Sequence, residues 1–160
     1  MIYSIGHGNK KIEDFINLLH QYEVEILIDV RSIPFSRFHS QFRQANLKSS
    51  LEVAGISYLF LGDELGGRPK NPDLYVDGHV SYEAIKKTGL FKAGIEKVID
   101  LTEQGIKVTL MCSESNPDDC HRKHLIADEL TKNGIMVKHI NKLGQLEKHL
   151  GHRSTLTLGF

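Results

Sequence analysis

The densest run of reactive side chains is Cys112-Ser113-Glu114-Ser115-Asn116-Pro117-Asp118-Asp119-Cys120-His121-Arg122. Cys112 closes an apolar run, and Cys120 falls in the first turn of a predicted helix, where free N–H groups and the helix dipole favour a thiolate. Three readings compete for this segment. Cys112 or Cys120 is a nucleophile with Glu114, His121 or His7 as its base. Alternatively, Cys112, Cys120, His121 and His124 supply zinc-type ligands, at a spacing that matches no common zinc pattern. The third reading makes both thiols small core residues, a frequent fate of free cysteine. A phosphatase-type loop, with Arg six positions after Cys, is excluded because that position is Asp118. Glu114, polar and at a strand exit, is the better candidate for direct chemistry.

Other capable residues follow other apolar runs. His7 lies between Gly6 and Gly8, where the backbone can approach a ligand closely and a neutral imidazole can act as acid, base or donor. Its plain alternative is a ring bonded to a loop carbonyl. Asp29-Val30-Arg31 follows the second apolar run, and Gly66-Gly67-Arg68 offers either an anion-binding nest or a tight turn. Arg31, Arg37, Arg43, Arg68 and Arg122 all fall in or just after such loops, while the lysines spread over predicted helix surfaces. A planar guanidinium suits carboxylate or phosphate. The gathering predicts an anion pocket; the competing reading pairs each arginine with a nearby acid, as Arg31 with Asp29. His20, His149 and His152 read as solvated.

These clusters need a frame, and alternating periodicity supplies one. Strand-like runs are expected at Ile2–Ile5, Ile26–Ile28, Ile56–Leu61, Val108–Met111 and Met136–Ile140. Helical spacing falls between them: Ile12 to Tyr22, Leu47 to Ala54, Ser81 to Gln104 with a break at Gly89 or Gly94, and a segment starting at Pro117 and ending at Gly134. Leu143–Leu150 reads as a last helix. Strands alternating with helices imply an α/β fold, a mainly parallel sheet of about five strands with helices on both faces. Ligands of such sheets bind beyond the carboxyl ends of the strands, which is where every cluster above maps.

Composition sets the outer bounds. The chain has 160 residues, 40% hydrophobic and 25% charged, with zero formal net charge. That fits one soluble domain, expected over residues 1–150 with a tail at 151–160 that could pair as an edge strand through Leu156 and Leu158. Neutrality argues against coating nucleic acid by bulk charge but allows a local basic patch. No apolar run is long enough to span a bilayer, and the amino terminus lacks the features of a signal peptide. Two cysteines make no disulfide framework. A cytoplasmic location and no membrane partner are expected.

Taken in order, Ser4-Ile5-Gly6-His7, Asp29-Val30-Arg31 with Pro34 and Ser36-Arg37, Leu65-Gly66-Gly67-Arg68, Met111-Cys112-Ser113-Glu114 with Cys120-His121-Arg122, and His139-Ile140 form a recognisable set. This set, over roughly residues 2–141, resembles the uncharacterised domain-of-unknown-function family 488. The resemblance implies a compact α/β domain, with no settled reaction. It marks Gly6, His7, Asp29, Arg31, Pro34, Ser36, Arg37, Gly66, Gly67, Arg68, Cys112, Glu114, Cys120, His121 and Arg122. Where many relatives have a proline before the phenylalanine, this chain has Ser40-Gln41 before Phe42. Asp-Val-Arg after a strand is also similar to rhodanese-like domains, but the usual single-cysteine loop does not follow the fourth strand.

The expectation is an enzyme acting on a phosphate- or carboxylate-bearing substrate, such as a nucleotide or a nucleic-acid end. Gly6, Asp29, Arg31, Ser36, Arg37, Gly66, Gly67, Arg68, His121 and Arg122 would bind it. His7 and Glu114 would move protons, with Cys112 or Cys120 as nucleophile. The alternatives are a non-catalytic nucleotide or nucleic-acid binding module, or a metal-binding domain using Cys112, Cys120 and His121. No cofactor or oligomeric state follows from the sequence.

Overall fold

The computed structural model describes residues 1–151. The tail from residue 152, with the expectations for His152, Leu156 and Leu158, lies outside the described residues. Five parallel strands and one antiparallel edge strand form the main sheet in the order β3-β2-β6-β1-β7-β8. They are β1 (Ile2–Gly6), β2 (Ile26–Asp29), β3 (Ser57–Phe60), β6 (Val108–Cys112), β7 (Val137–Ile140) and β8 (Leu146–Lys148). A separate two-residue hairpin, β4 (Tyr75–Val76) with β5 (His79–Val80), sits in the long loop after β3. The α/β class and the parallel strands follow the sequence pattern.

Side chains alternate across the strands, so the sheet divides the core in two. On one face Ile2, Ile28, Val30, Leu110 and Cys112 pack with Phe91, Ile95 and Val98 of α5 (Gly89–Glu103) and with Leu125, Ile126 and Leu130. On the other, Tyr3, Ile5, Leu27 and Met111 meet Phe15 and Leu19 of α1 (Ile12–Gln21) and Leu47 and Leu51 of α2 (Gln44–Val53). Strands buried on both faces explain their continuous apolar runs.

Chain direction reverses at β1. The connection through α1 leads to β2 on one side of the sheet order, while the connection from β6 leads across β1 to β7. The carboxyl ends of β1 and β6 are thus a switch point, the usual place for a ligand in an open α/β sheet. Here the two loops run side by side, with His7 N–H donating to Cys112 O at 3.0 Å and Gly8 N–H to Ser113 O at 2.9 Å.

Two elements differ from the sequence expectation, and a third resolves one of its alternatives. Leu143–Leu150 is a hairpin arm, because Asn141 Oδ1 accepts the N–H groups of Leu143 and Gln145, each at 3.0 Å, and turns the chain before a helix can start. The helical stretch from Ser81 breaks between α4 (Tyr82–Lys86) and α5, at the earlier of the two glycines, because Thr88 caps α5 by accepting from Phe91 N–H. Gly94 stays helical and buried instead, its Cα packed where a Cβ would stand 2.8 Å from Glu64 and Leu65 of α3 (Gly62–Leu65). The segment from Pro117 begins as a single 3₁₀ turn, Pro117–Asp119, then runs as a wide π-type turn, Arg122–Ala127, before α6 (Asp128–Lys132). Cys120 precedes that helical run rather than sitting inside its first turn. No helix among the described residues is long and apolar enough to cross a membrane.

The two-layer core predicts a contrast between neighbours on α5. Phe91 is 1% exposed and Leu90 60% exposed. Phe91→Ala should cost about 3–5 kcal/mol in urea unfolding, and Leu90→Ala within about 0.5 kcal/mol of zero. Equal effects would contradict the assignment of the buried face.

Candidate functional site

At the end of β2 the chain buries an ion pair. Asp29 is wholly inaccessible, and Arg31 nearly so. Asp29 Oδ1 accepts from Arg31 N–H at 3.1 Å and Nε at 2.9 Å, while Oδ2 accepts from Arg31 Nη2 at 2.8 Å and Tyr58 Oη at 2.7 Å. The carboxylate is saturated, which is what makes its burial tolerable. Burial and the Asp29 charge push the Tyr58 hydroxyl well above its usual value, so it serves as a donor. This fork realises the acid-paired reading of Arg31, with one atom left over. Arg31 Nη1 is buried and has no partner.

A second orphan stands nearby. His7, 3% exposed, stacks on Phe42 with ring centroids 4.3 Å apart, and its Nδ1–H donates to Gly8 O at 2.8 Å. With Nδ1 carrying the proton, Nε2 presents a bare lone pair, and it too is buried without a partner. Burial lowers the His7 pKa to about 4; the Gly8 carbonyl opposes this, and the Arg31 guanidinium adds to the lowering. A lone pair from His7 and a donor from Arg31, both unmet, therefore lie in one electrostatic neighbourhood. Polar groups buried without partners are rare enough to demand a reason.

Arg122 belongs to the opposite face. It is fully buried and donates through Nε to Ser4 Oγ (3.1 Å), through Nη1 to Cys112 Sγ (2.7 Å) and Glu114 O (2.5 Å), and through Nη2 to Ser115 O (3.3 Å). Desolvation lowers its pKa to about 10. From Arg122 a single polar chain continues: Ser4 Oγ donates to His139 Nδ1, His139 Nε2 donates to His149 Nδ1 at 3.0 Å, and His149 Nε2 donates to Asp128 Oδ1 at 2.6 Å. Every member is satisfied with both imidazoles neutral. Burial and the neighbouring charges push His139 down to about 3. His149, read from sequence as solvated, is thus a buried link, because β8 folds back beside β7.

The arginines therefore do not converge on one hollow. Asp29, Arg31 and His7 lie on the α1/α2 face, whereas Cys112, Cys120 and Arg122 lie on the α5 face. Cys112 and Cys120 bring their sulfur atoms together, and both residues are buried. Among the described residues no group of three or more His, Cys, Asp or Glu side chains is arranged to hold a metal ion. His121 Nε2 donates to Val30 O at 2.9 Å, and its ring packs on Gly67, where a Cβ would come within 2.8 Å. Burial brings its pKa to about 4. Gly66 makes room for Ser32 Oγ, and Gly6 for the Glu114 carbonyl, so these glycines serve loop packing. The Glu114 side chain is exposed, as are Arg37 and Arg68, and Ser36 Oγ braces its loop by accepting from His39 N–H at 3.1 Å. A cavity of about 600 Å³ lies away from all of these, between Tyr82, Lys86, His124, Asp128 and Lys132.

Tyr58, Phe42, Ser4, His149 and Asp128 were missed from sequence. Tyr58 had a signal: in parallel register with Leu27, it shares the face of Asp29.

The chain matches the family model described as "Domain of unknown function DUF488" over residues 11–130. That stretch includes Asp29, Arg31, Arg68 and Arg122 but stops short of His7 on one side and His139 on the other. No curated protein and no solved structure matches the chain.

The buried histidines make acid stability predictable. His7, His121 and His139 are held below the ordinary value of 6.5, so the folded state excludes protons that the unfolded chain binds. Their contribution is complete above about pH 7 and is lost as pH falls from about 6.5 toward 4. The urea midpoint should fall steadily across that window; a flat midpoint down to pH 4.5 would contradict the three burials.

Proposed function

We propose, for a chain that belongs to the DUF488 family, an enzyme in which His7 and Arg31 act together on an anionic, ester-like group. The observation that carries this reading is that, of the buried side-chain atoms without a partner among the described residues (His7 Nε2, Arg31 Nη1 and Thr109 Oγ1), two are a base and a cationic donor, His7 Nε2 and Arg31 Nη1. They are complementary. Nε2 takes a proton from an attacking water as its oxygen bonds to the phosphorus or acyl carbon of an ester. Nη1 donates to a non-bridging oxygen there, and the ester P–O or C–O bond breaks with the leaving oxygen taking the proton back from Nε2–H. The Gly8 carbonyl fixes the His7 tautomer, and Asp29 with Tyr58 fixes the Arg31 fork. A base with a pKa near 4 is neutral at physiological pH, so it needs no prior deprotonation. Arg37 and Arg68, both exposed, contribute outer contacts to an anionic small molecule or nucleic-acid end. The Cys112–Cys120 pair and Arg122 hold the β6 loop and take no chemical step in this reading. The setting is the cytoplasm.

A non-catalytic binding module is the second reading, favoured by the closure of both atoms to solvent. Two measurements separate the readings. Bis(p-nitrophenyl) phosphate should be hydrolysed with a rate that falls only below about pH 4–5, and His7→Asn should lower kcat by ~10²–10⁴, the usual scale of a general base. Inorganic phosphate, followed by calorimetry, should bind wild type and be lost in Arg31→Lys. Phosphate binding that survives Arg31→Lys would sink the arginine assignment; binding without turnover would leave the module.

A further inference from the structure

The loop Ser32–Arg43 combines basic and exposed aromatic side chains. From Val30 to Leu51 the chain has no Asp or Glu, yet it carries Arg31, Arg37, Arg43 and Lys48 within a protein of zero formal net charge. The same loop exposes large apolar side chains: Ile33 at 73%, Phe35 at 54% and Phe38 at 80%. Each phenylalanine has a guanidinium over its ring, Arg37 at 5.3 Å from the Phe38 centroid and Arg43 at 4.6 Å from that of Phe35.

The exposure is built rather than accidental. Arg43 Nε donates to Ser36 O at 3.1 Å, and Asn46 Nδ2 donates to Ser40 O at 2.8 Å. Phe42 anchors the loop in the core against His7 and Phe15. Phe35 and Phe38 are thereby held outward on a braced backbone. Ser32 Oγ also accepts from Arg68 N–H at 2.9 Å, which brings a further exposed arginine to the root of the loop. Neither Arg37 nor Arg68 has an acidic partner among the described residues.

We propose that Ser32–Arg43 is a docking platform for single-stranded nucleic acid, with bases stacking on Phe35 and Phe38 and phosphates meeting Arg37 and Arg68. Single-strand binders combine these two features, aromatic faces and a basic track, and stacking tolerates any base. A duplex keeps its bases stacked inside and would use only the charge. A lipid surface fits less well: inserting Phe38 would carry the Arg37 guanidinium stacked on it toward hydrocarbon, where an arginine is costly. The inference rests on the reading of His7 and Arg31, since the platform leads through Arg31 and Phe42 to that pair, and it names their substrate class.

The test uses the full chain and a 5′-fluorescein-labelled deca-thymidylate, read by anisotropy at several salt concentrations. Binding should weaken with salt, and Phe35→Ala with Phe38→Ala together should raise Kd at least tenfold. Arg37→Gln should flatten the salt slope by about 0.7, the single-strand value per phosphate contact. Lys97→Gln, on the exposed side of α5, should bind as wild type does. Three results overturn the platform: no salt-dependent binding, a matched duplex bound as tightly as the single strand, or capture by phosphatidylglycerol vesicles in place of the oligomer. If bis(p-nitrophenyl) phosphate is still hydrolysed in a His7-dependent way in any of those cases, the platform fails while the catalytic reading stands. Oligomer binding with no hydrolysis of any phosphodiester keeps the platform and removes the catalytic reading.

Discussion

The buried Asp29–Arg31 fork is the interaction on which the proposed site depends. A carboxylate wholly removed from water is tolerated only when its lone pairs are filled, and Asp29 fills them with Arg31 and Tyr58. The geometry of that solution has a remainder. A guanidinium that turns Nε and Nη2 toward one acid must point Nη1 elsewhere. In this protein Nη1 is buried and unpartnered, and its charge is felt by an imidazole whose lone pair is also unmet. A structural pair thus fixes the donor that the proposal uses.

The sheet keeps two polar systems apart. On the α1/α2 face, Asp29, Arg31, Tyr58 and His7 end in unsatisfied atoms. On the α5 face, the chain from Arg122 through Ser4, His139 and His149 to Asp128 is closed at every link. A satisfied buried network rigidifies its surroundings. Here it ties β1, β7 and β8 to the helical segment after β6, and Arg122 also clamps the Glu114–Ser115 loop against Gly6. In the proposed reading the reactive-looking cysteine segment is scaffold, and the less conspicuous His7 holds the chemistry.

Most of the frame could be read from the chain alone, because continuous apolar runs and helical stripes report burial directly. The parallel strands and the location of the clusters at their carboxyl ends follow from that periodicity. Two kinds of information were illegible. One is which face a loop arginine turns to: Arg31, two residues past Asp29, keeps the face of that residue, whereas Arg122 lies in the helical run after β6 and takes its side from the bonds it finds. The other is a turn made by one side chain. Asn141 converts a helix-like stretch into the β8 arm, and only then does His149 reach His139. Of the two readings of Arg31, the fork realises the pairing with Asp29, and the Nη1 it leaves over is what the proposed anion contact would use.

The most direct measurement is a nitrogen-15 NMR titration of the histidine rings, with and without inorganic phosphate. His7 should carry its proton on Nδ1, stay neutral until about pH 4, and shift its Nε2 resonance when phosphate is added, while His139 does not respond. A His7 ring that titrates near 6.5, or that holds its proton on Nε2, would contradict the proposed pairing with Arg31.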